Sequence, residues 1–303
     1  MLTTRAIGAA ALTICCGLTT SAHADVFQRV HGNPQREHSY SIENTPDGGT
    51  ITAGFRDASF DPTAPNEDVL ITKHFPDGTV EWQRVWAGPG RDIGYSVQPT
   101  IDGGYIVAAE SESSGDPLVE TLLIKLDGAG NLVWNNFYFG TFQGDPIHDV
   151  HPGVAIDQGF NGQIYMTGNV DGRAMILAVD MVGNVIWNAT YADPITDPDL
   201  AARFAFTDIK HDPTNSTLVV SGTTLRDEVD STGAFLTAQD AFLFRLSGTG
   251  APMWIWNYDF PFDFDPSNEP AQNCRETGDG LDISPAGRII LNDSTNSNNA
   301  VLR

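Results

Sequence analysis

The chain has 303 residues, 39 acidic and 16 basic, for a formal charge of −23. Such a surface repels nucleic acid and anionic lipid, and lysines at positions 73, 125 and 210 alone build no basic patch. Three cysteines exclude a disulfide-framed scaffold, so the fold must rest on an apolar core that a chain of this length can supply.

Read from the N-terminus, Arg5 precedes the apolar stretch 6–18, and Ser21, Ala22, His23 and Ala24 fit a signal-peptidase site. Residues 1–24 are therefore expected to be a leader and 25–303 a single mature domain, exported to the periplasm or beyond. The apolar stretch is too short to span a bilayer, so no membrane insertion is expected. Neither Cys15 nor Cys16 follows the small residue that lipidation requires. Cleavage leaves only Cys274 and takes the formal charge to −24, because the leader carries one arginine and no acid.

The mature chain repeats. Arg36 to Ile42 followed by Pro46-Asp47-Gly48-Gly49 parallels Arg91 to Val97 followed by Ile101-Asp102-Gly103-Gly104, at a constant offset of 55. Each turn leads into a second apolar segment, 50–54 and 105–109, with equivalents at 164–168, 218–222 and 288–292. Third strands are predicted at 69–72, 122–125, 175–178 and 242–245. Fourth strands follow in which Gly78, Gly130, Gly183 and Gly250 stand four residues before Trp82, Trp134, Trp187 and Trp254. The tryptophans keep this register inside strands, which points to packing between repeats.

Period-2 patterning and glycine turns predict an all-β fold of four-stranded antiparallel units, arranged radially as a five-bladed β-propeller. The blades are placed at about 36–88, 91–140, 148–193, 203–259 and 275–303. The fifth has no fourth strand of its own, and residues 26–32 are expected to provide it. Phe27-Gln28-Arg29-Val30 matches Trp82-Gln83-Arg84-Val85, and both stand nine residues before the next unit's arginine. The N-terminal strand would thereby close the ring.

These residues resemble a group of bacterial exported propeller repeat proteins whose units read GYSV, DGGYIVA and IKLDGAGNLVW, as residues 94–134 do. The resemblance implies a propeller scaffold and no particular activity. The chain is also distantly similar to pyrroloquinoline-quinone propellers. Their motif spaces aspartate and tryptophan eight apart, whereas Asp127–Trp134 and Asp180–Trp187 are seven apart, and the mature chain lacks an adjacent cysteine pair. That cofactor is not expected.

In an up-and-down meander, the strand 2–3 and strand 4–1 links share one end. Here these links are long, 56–68, 111–120, 139–147, 193–200, 224–240 and 258–277, while the opposite end has short turns. Function is therefore expected at the loop-rich end. The basic-acidic openings Arg36-Glu37, Arg91-Asp92, His148-Asp149, Arg203 and Arg275-Glu276 form a candidate ligand ring at the channel mouth; the competing reading is ion pairs that merely bridge blades. Asp259, Asp263, Asp265 and Glu269, in the longest link, supply oxygen ligands suited to Ca²⁺, without a consensus loop. His148 and His151 lie three apart, on opposite faces of a strand, a poor metal spacing.

Hydrolytic and phosphate-binding signatures are missing from the sequence. The expected function is a non-enzymatic binding or scaffold propeller, monomeric, whose acidic face holds a protein, a glycan or a Ca²⁺-bridged ligand. The alternative is a glycan-active hydrolase with paired carboxylates drawn from Glu37, Asp92, Asp149 and Glu276.

Overall fold

The computed structural model describes residues 36–57, 59, 66–115, 120–138, 155–159, 162–170, 173–191, 204–229, 235–258, 276–284 and 287–295. Everything in this set is strand or turn, and no helix among these residues is long and apolar enough to cross a membrane. Four sheets have four antiparallel strands each, in chain order. They are β1 (Glu37–Asn44) to β4 (Val80–Trp86), β5 (Asp92–Pro99) to β8 (Leu132–Tyr138), β9 (Ile156–Gln158) to β12 (Val185–Tyr191), and β13 (Phe204–Asp212) to β16 (Pro252–Tyr258). A fifth sheet pairs β17 (Glu276–Ile283) with β18 (Ile289–Thr295). The expected leader, residues 26–32, the third strand expected at the C-terminus and Cys274 lie outside the described residues.

Successive sheets stack face to face, which explains the burial pattern. In the second sheet, with a neighbour on both faces, the second and third strands are buried throughout, β6 (Tyr105–Ser111) and β7 (Glu120–Leu126). Separate apolar clusters fill the gaps between sheets one and two, two and three, three and four, and four and five. Contact also passes from first strand to first strand, β1 to β5, β5 to β9, β9 to β13 and β13 to β17, so these strands form the inner edge of a propeller-like arrangement.

The repeat signatures are inter-sheet contacts. A Cβ on Gly130 would lie 2.9 Å from the Trp82 ring and one on Gly250 2.8 Å from Trp187; both glycines have positive φ. The glycine turns at Gly130, Gly183 and Gly250 thus seat on the preceding sheet's tryptophan. Their carbonyls are also claimed from behind: Arg84 Nε donates to Gly130 O, and the hydroxyls of Tyr138 and Tyr191 donate to Gly183 O and Gly250 O.

The Asp-Gly-Gly turns are locked from within the sheet. Lys73 and Lys125, both about 1% exposed, donate to Asp47 and Asp102 at 2.8 and 3.0 Å. In the fourth sheet Arg245 reaches Asp212, two positions earlier in the register, at 2.7 Å. The third sheet has Ala178 at the lysine position. One expected link is corrected: residues 224–240 are mostly not a loop. There β14 (Thr217–Val229) and β15 (Phe235–Ser247) run on as a paired ribbon, leaving 230–234 to connect them.

Candidate functional site

At the loop-rich end, the expected basic-acidic ring is an inter-sheet brace where it can be followed. Arg36 and Arg91 open consecutive sheets and both donate to Glu67 at the start of β3 (Glu67–His74), one to each carboxylate oxygen at 2.5 Å. Asp92 is fully buried, accepts from Ser111 and from Ser113 Oγ at 2.9 Å, and is raised by burial above the usual carboxylate range. Its oxygens tie the 87–91 link to the 112–115 link. Glu37 is half-buried on β1, opposite Arg56. Glu276 opens β17 opposite Thr295. His148, Asp149, His151, Arg203 and Arg275 lie outside the described residues, as do Asp259, Asp263, Asp265 and Glu269.

Beside this brace, the exposed His38 ring lies 4.5 Å from Tyr40, which lies 4.9 Å from Tyr95 of the next sheet. Tyr40 and Tyr95 fall at the same bulge, between Ser39 and Ser41 in β1 and between Gly94 and Ser96 in β5. A bulge turns one side chain out of the pleat, here at the sheets' inner edge. Tyr95 donates to the buried Glu110 carboxyl. Burial pushes Glu110 up to about 7 despite Arg91 and this hydrogen bond.

The strongest convergence lies at the opposite, short-turn end. Pairing with the second strands matches Glu43 to Ile51, Gln98 to Ile106, Asp157 to Tyr165, Lys210 to Val219 and Asp282 to Ile290. Those partners are equivalent positions of the repeat. One register position in all five first strands therefore carries Glu43, Gln98, Asp157, Lys210 and Asp282. The preceding position is apolar, as Ile42, Val97, Ile156, Ile209 and Leu281. Where a neighbouring sheet is described, alternation sends that residue back onto the previous sheet and the polar residue toward the next; Ile42, with none described behind it, is exposed.

This row of polar positions, hereafter the ring, is electrostatically coupled. Gln98 Nε2 donates to Glu43 Oε1 at 2.9 Å, and Asp157 Oδ2 accepts the His211 N–H at 2.5 Å. Asp208, two residues before Lys210 on the same face, accepts the Leu281 N–H at 2.8 Å. Burial raises Glu43 and Asp208, and lifts Asp157 to about 6 despite the His211 bond and Lys210. Burial pulls Lys210 down, but the fields of Asp208, Asp157, Glu43 and Asp282 outweigh it and leave it raised. These four carboxylates act on Lys210 through space; among the described residues, its ammonium makes no ion pair within 4 Å. No group of three or more metal-capable side chains forms among the described residues.

No family model and no curated protein sequence matches the chain. Among solved structures, the chain is similar to a mannose phosphorylase from Leishmania mexicana (TM-score 0.43, 10% identity, 85% of this chain and 80% of that one). It is similar to a GH130-family protein described with hydrolases that target β-1,2 mannosidic linkages in Candida mannan (TM-score 0.41, 8% identity, 89% and 87%). It is also similar to Drosophila plexin A in complex with a semaphorin (TM-score 0.41, 10% identity, 86% and 55%).

The ring was not anticipated from sequence, which directed attention to the loop-rich end. A signal did exist. Glu43 and Gln98 stand 55 apart, the offset of the repeat itself, and Lys210 is one of only three lysines. Asking which repeat-equivalent positions are polar inside a first strand would have found it.

Proposed function

We propose that this protein is an exported five-bladed propeller, closed by residues 26–32, which binds a small polar ligand at the narrow end of its central channel. One observation carries the reading: a single register position, repeated in five first strands, gathers three carboxylates, an amide and a lysine at the inner edge. Charged groups brought together there are costly unless something hydrogen-bonds them. Arg36, Arg91 and Asp92 are already engaged by protein partners, which turns the reading away from the loop-rich ring. A thermal-unfolding screen of the mature protein against polar metabolites, repeated with Lys210→Met and Gln98→Ala, tests this. A ligand whose stabilisation disappears in both variants supports it; ligands that act equally on all three proteins bind elsewhere and overturn it.

A second reading, a glycan-active hydrolase working in the channel, is favoured by Glu110 and Asp157. Carboxyl groups that keep a proton toward neutrality suit a general acid. Release of reducing ends from a glycan panel, lost in Asp157→Asn or Glu110→Gln, would establish that reading. Release unchanged in both variants, or none at all, would dismiss it.

A further inference from the structure

Resting on the channel reading, we infer that the ring's ligand is neutral and polyhydroxylated, of the class of a sugar ring or an oligosaccharide end. The inference follows from which chemistries this set of side chains accepts. A lone anion entering the ring would meet Glu43, Asp157, Asp208 and Asp282, while the place of a cation among those acids is already taken by Lys210. Unlike charges at this range gain energy in the low-dielectric interior only when each side is matched, and like charges lose the same amount.

A metal ion needs several oxygens converging within coordination distance, which the described carboxylates do not offer. An apolar ligand would strip water from five polar side chains without replacing a hydrogen bond. Hydroxyl groups avoid all four conflicts, since each donates to a carboxylate while accepting from an ammonium or amide. Lys210 supplies donors only, Glu43 and Asp208 supply acceptors, and Gln98, whose nitrogen serves Glu43, has a carbonyl oxygen able to accept.

The wall above the ring fits the same class. Tyr40 stands three residues before Glu43 on β1, roughly 10 Å along the strand, with Tyr95 at 4.9 Å from it on the neighbouring strand. Aromatic faces there meet the weakly polar C–H face of a sugar while the ring below meets its hydroxyls. A ligand long enough to touch both tiers would be an oligosaccharide.

Isothermal titration of the mature protein with neutral mono- and oligosaccharides, matched uronic acids and amino sugars, CaCl₂ and inorganic phosphate tests the class. The expected result is saturable binding of a neutral saccharide, weakened at least tenfold by Lys210→Met and by Gln98→Ala, with its charged analogues weaker. Circular dichroism of the variants separates lost binding from lost folding, and Gln98→Ala leaves every charge in place. Tighter binding of a uronic acid, amino sugar, Ca²⁺ or phosphate that still depends on Lys210 would overturn the ligand class and leave the channel reading standing. Saccharide binding indifferent to both variants would overturn the channel reading as well. No neutral saccharide bound at millimolar concentration would overturn the inference.

Discussion

The Lys73 ammonium, almost sealed from solvent, donates to Asp47 at 2.8 Å and holds the β1–β2 turn against the third strand. That bond is the main reason Asp47 is held well below the usual carboxylate range. Removing the acid leaves a buried ammonium with Glu81 at 3.2 Å and the His74 carbonyl at 3.0 Å. Asp47→Ala should therefore cost about 1–3 kcal/mol. Lys73→Met, which removes the buried charge itself, should cost less than breaking the pair from the acidic side. Urea unfolding of both variants checks the order.

Gly250→Ala should destabilise the fold on two counts. Its φ is +83° and the new Cβ would press on the Trp187 ring at 2.8 Å, so both backbone and packing resist it. A loss of about 2 kcal/mol or more is expected. Tyr191→Phe, which leaves the Gly250 carbonyl without its 2.8 Å donor, should cost about 1 kcal/mol. Chemical denaturation of the single and double variants measures both terms.

Stability should fall as pH rises from about 4.5 toward 7. Glu110 titrates near its ordinary value of 4.5 in the unfolded chain and at about 7 in the fold, so between those limits the folded state binds more protons. Asp157, raised to about 6, acts in the same direction over a lower window. Glu110→Gln should flatten the upper part of the profile and raise the melting temperature at pH 8 relative to the parent. A melting temperature that is unchanged from pH 4.5 to 7.5 in the parent would contradict the burial argument.

Ile42 is 66% exposed, while its counterparts Val97, Ile156, Ile209 and Leu281 are at most 5% exposed because a preceding sheet covers them. Closure of the proposed propeller would place the fifth sheet over Ile42. Deleting residues 26–32 from the mature protein should then lower the melting temperature by several degrees and increase proteolysis near β1. An unchanged melting temperature would argue against closure by this strand.

Much of the fold was legible because the repeat encodes contacts between sheets. The Gly-x-x-x-Trp register, read as packing, corresponds to glycine turns seated on the previous tryptophan, and Asp-Gly-Gly marks a turn bound by a buried lysine. The candidate site was less legible. Arg36 and Arg91 look like ligand groups in sequence, and only the position of Glu67, on a third strand 24 residues before Arg91, reveals them as a brace. The ring eluded the reading for a related reason. Its five members belong to different residue types, and only strand register aligns them across the bulges of β1, β5, β13 and β17. The ribbon formed by β14 and β15 was missed because its sequence, 224–240, is too polar to read as strand, and pairing with its own partner sustains it.

Ser41 Oγ accepts the Val97 N–H, Asp157 accepts that of His211, and Asp208 accepts that of Leu281. In each case the acceptor belongs to the earlier sheet and the N–H to the later one. Donors also run the other way, from Arg84, Tyr138 and Tyr191 to the next sheet's glycine carbonyls. A chain delivered N-terminus first thus always ends in a sheet whose outstretched acceptors and donors await a successor, and each arrival covers the exposed face of the one before. Interrupting translation partway would leave a short stack that is internally satisfied except at its leading sheet.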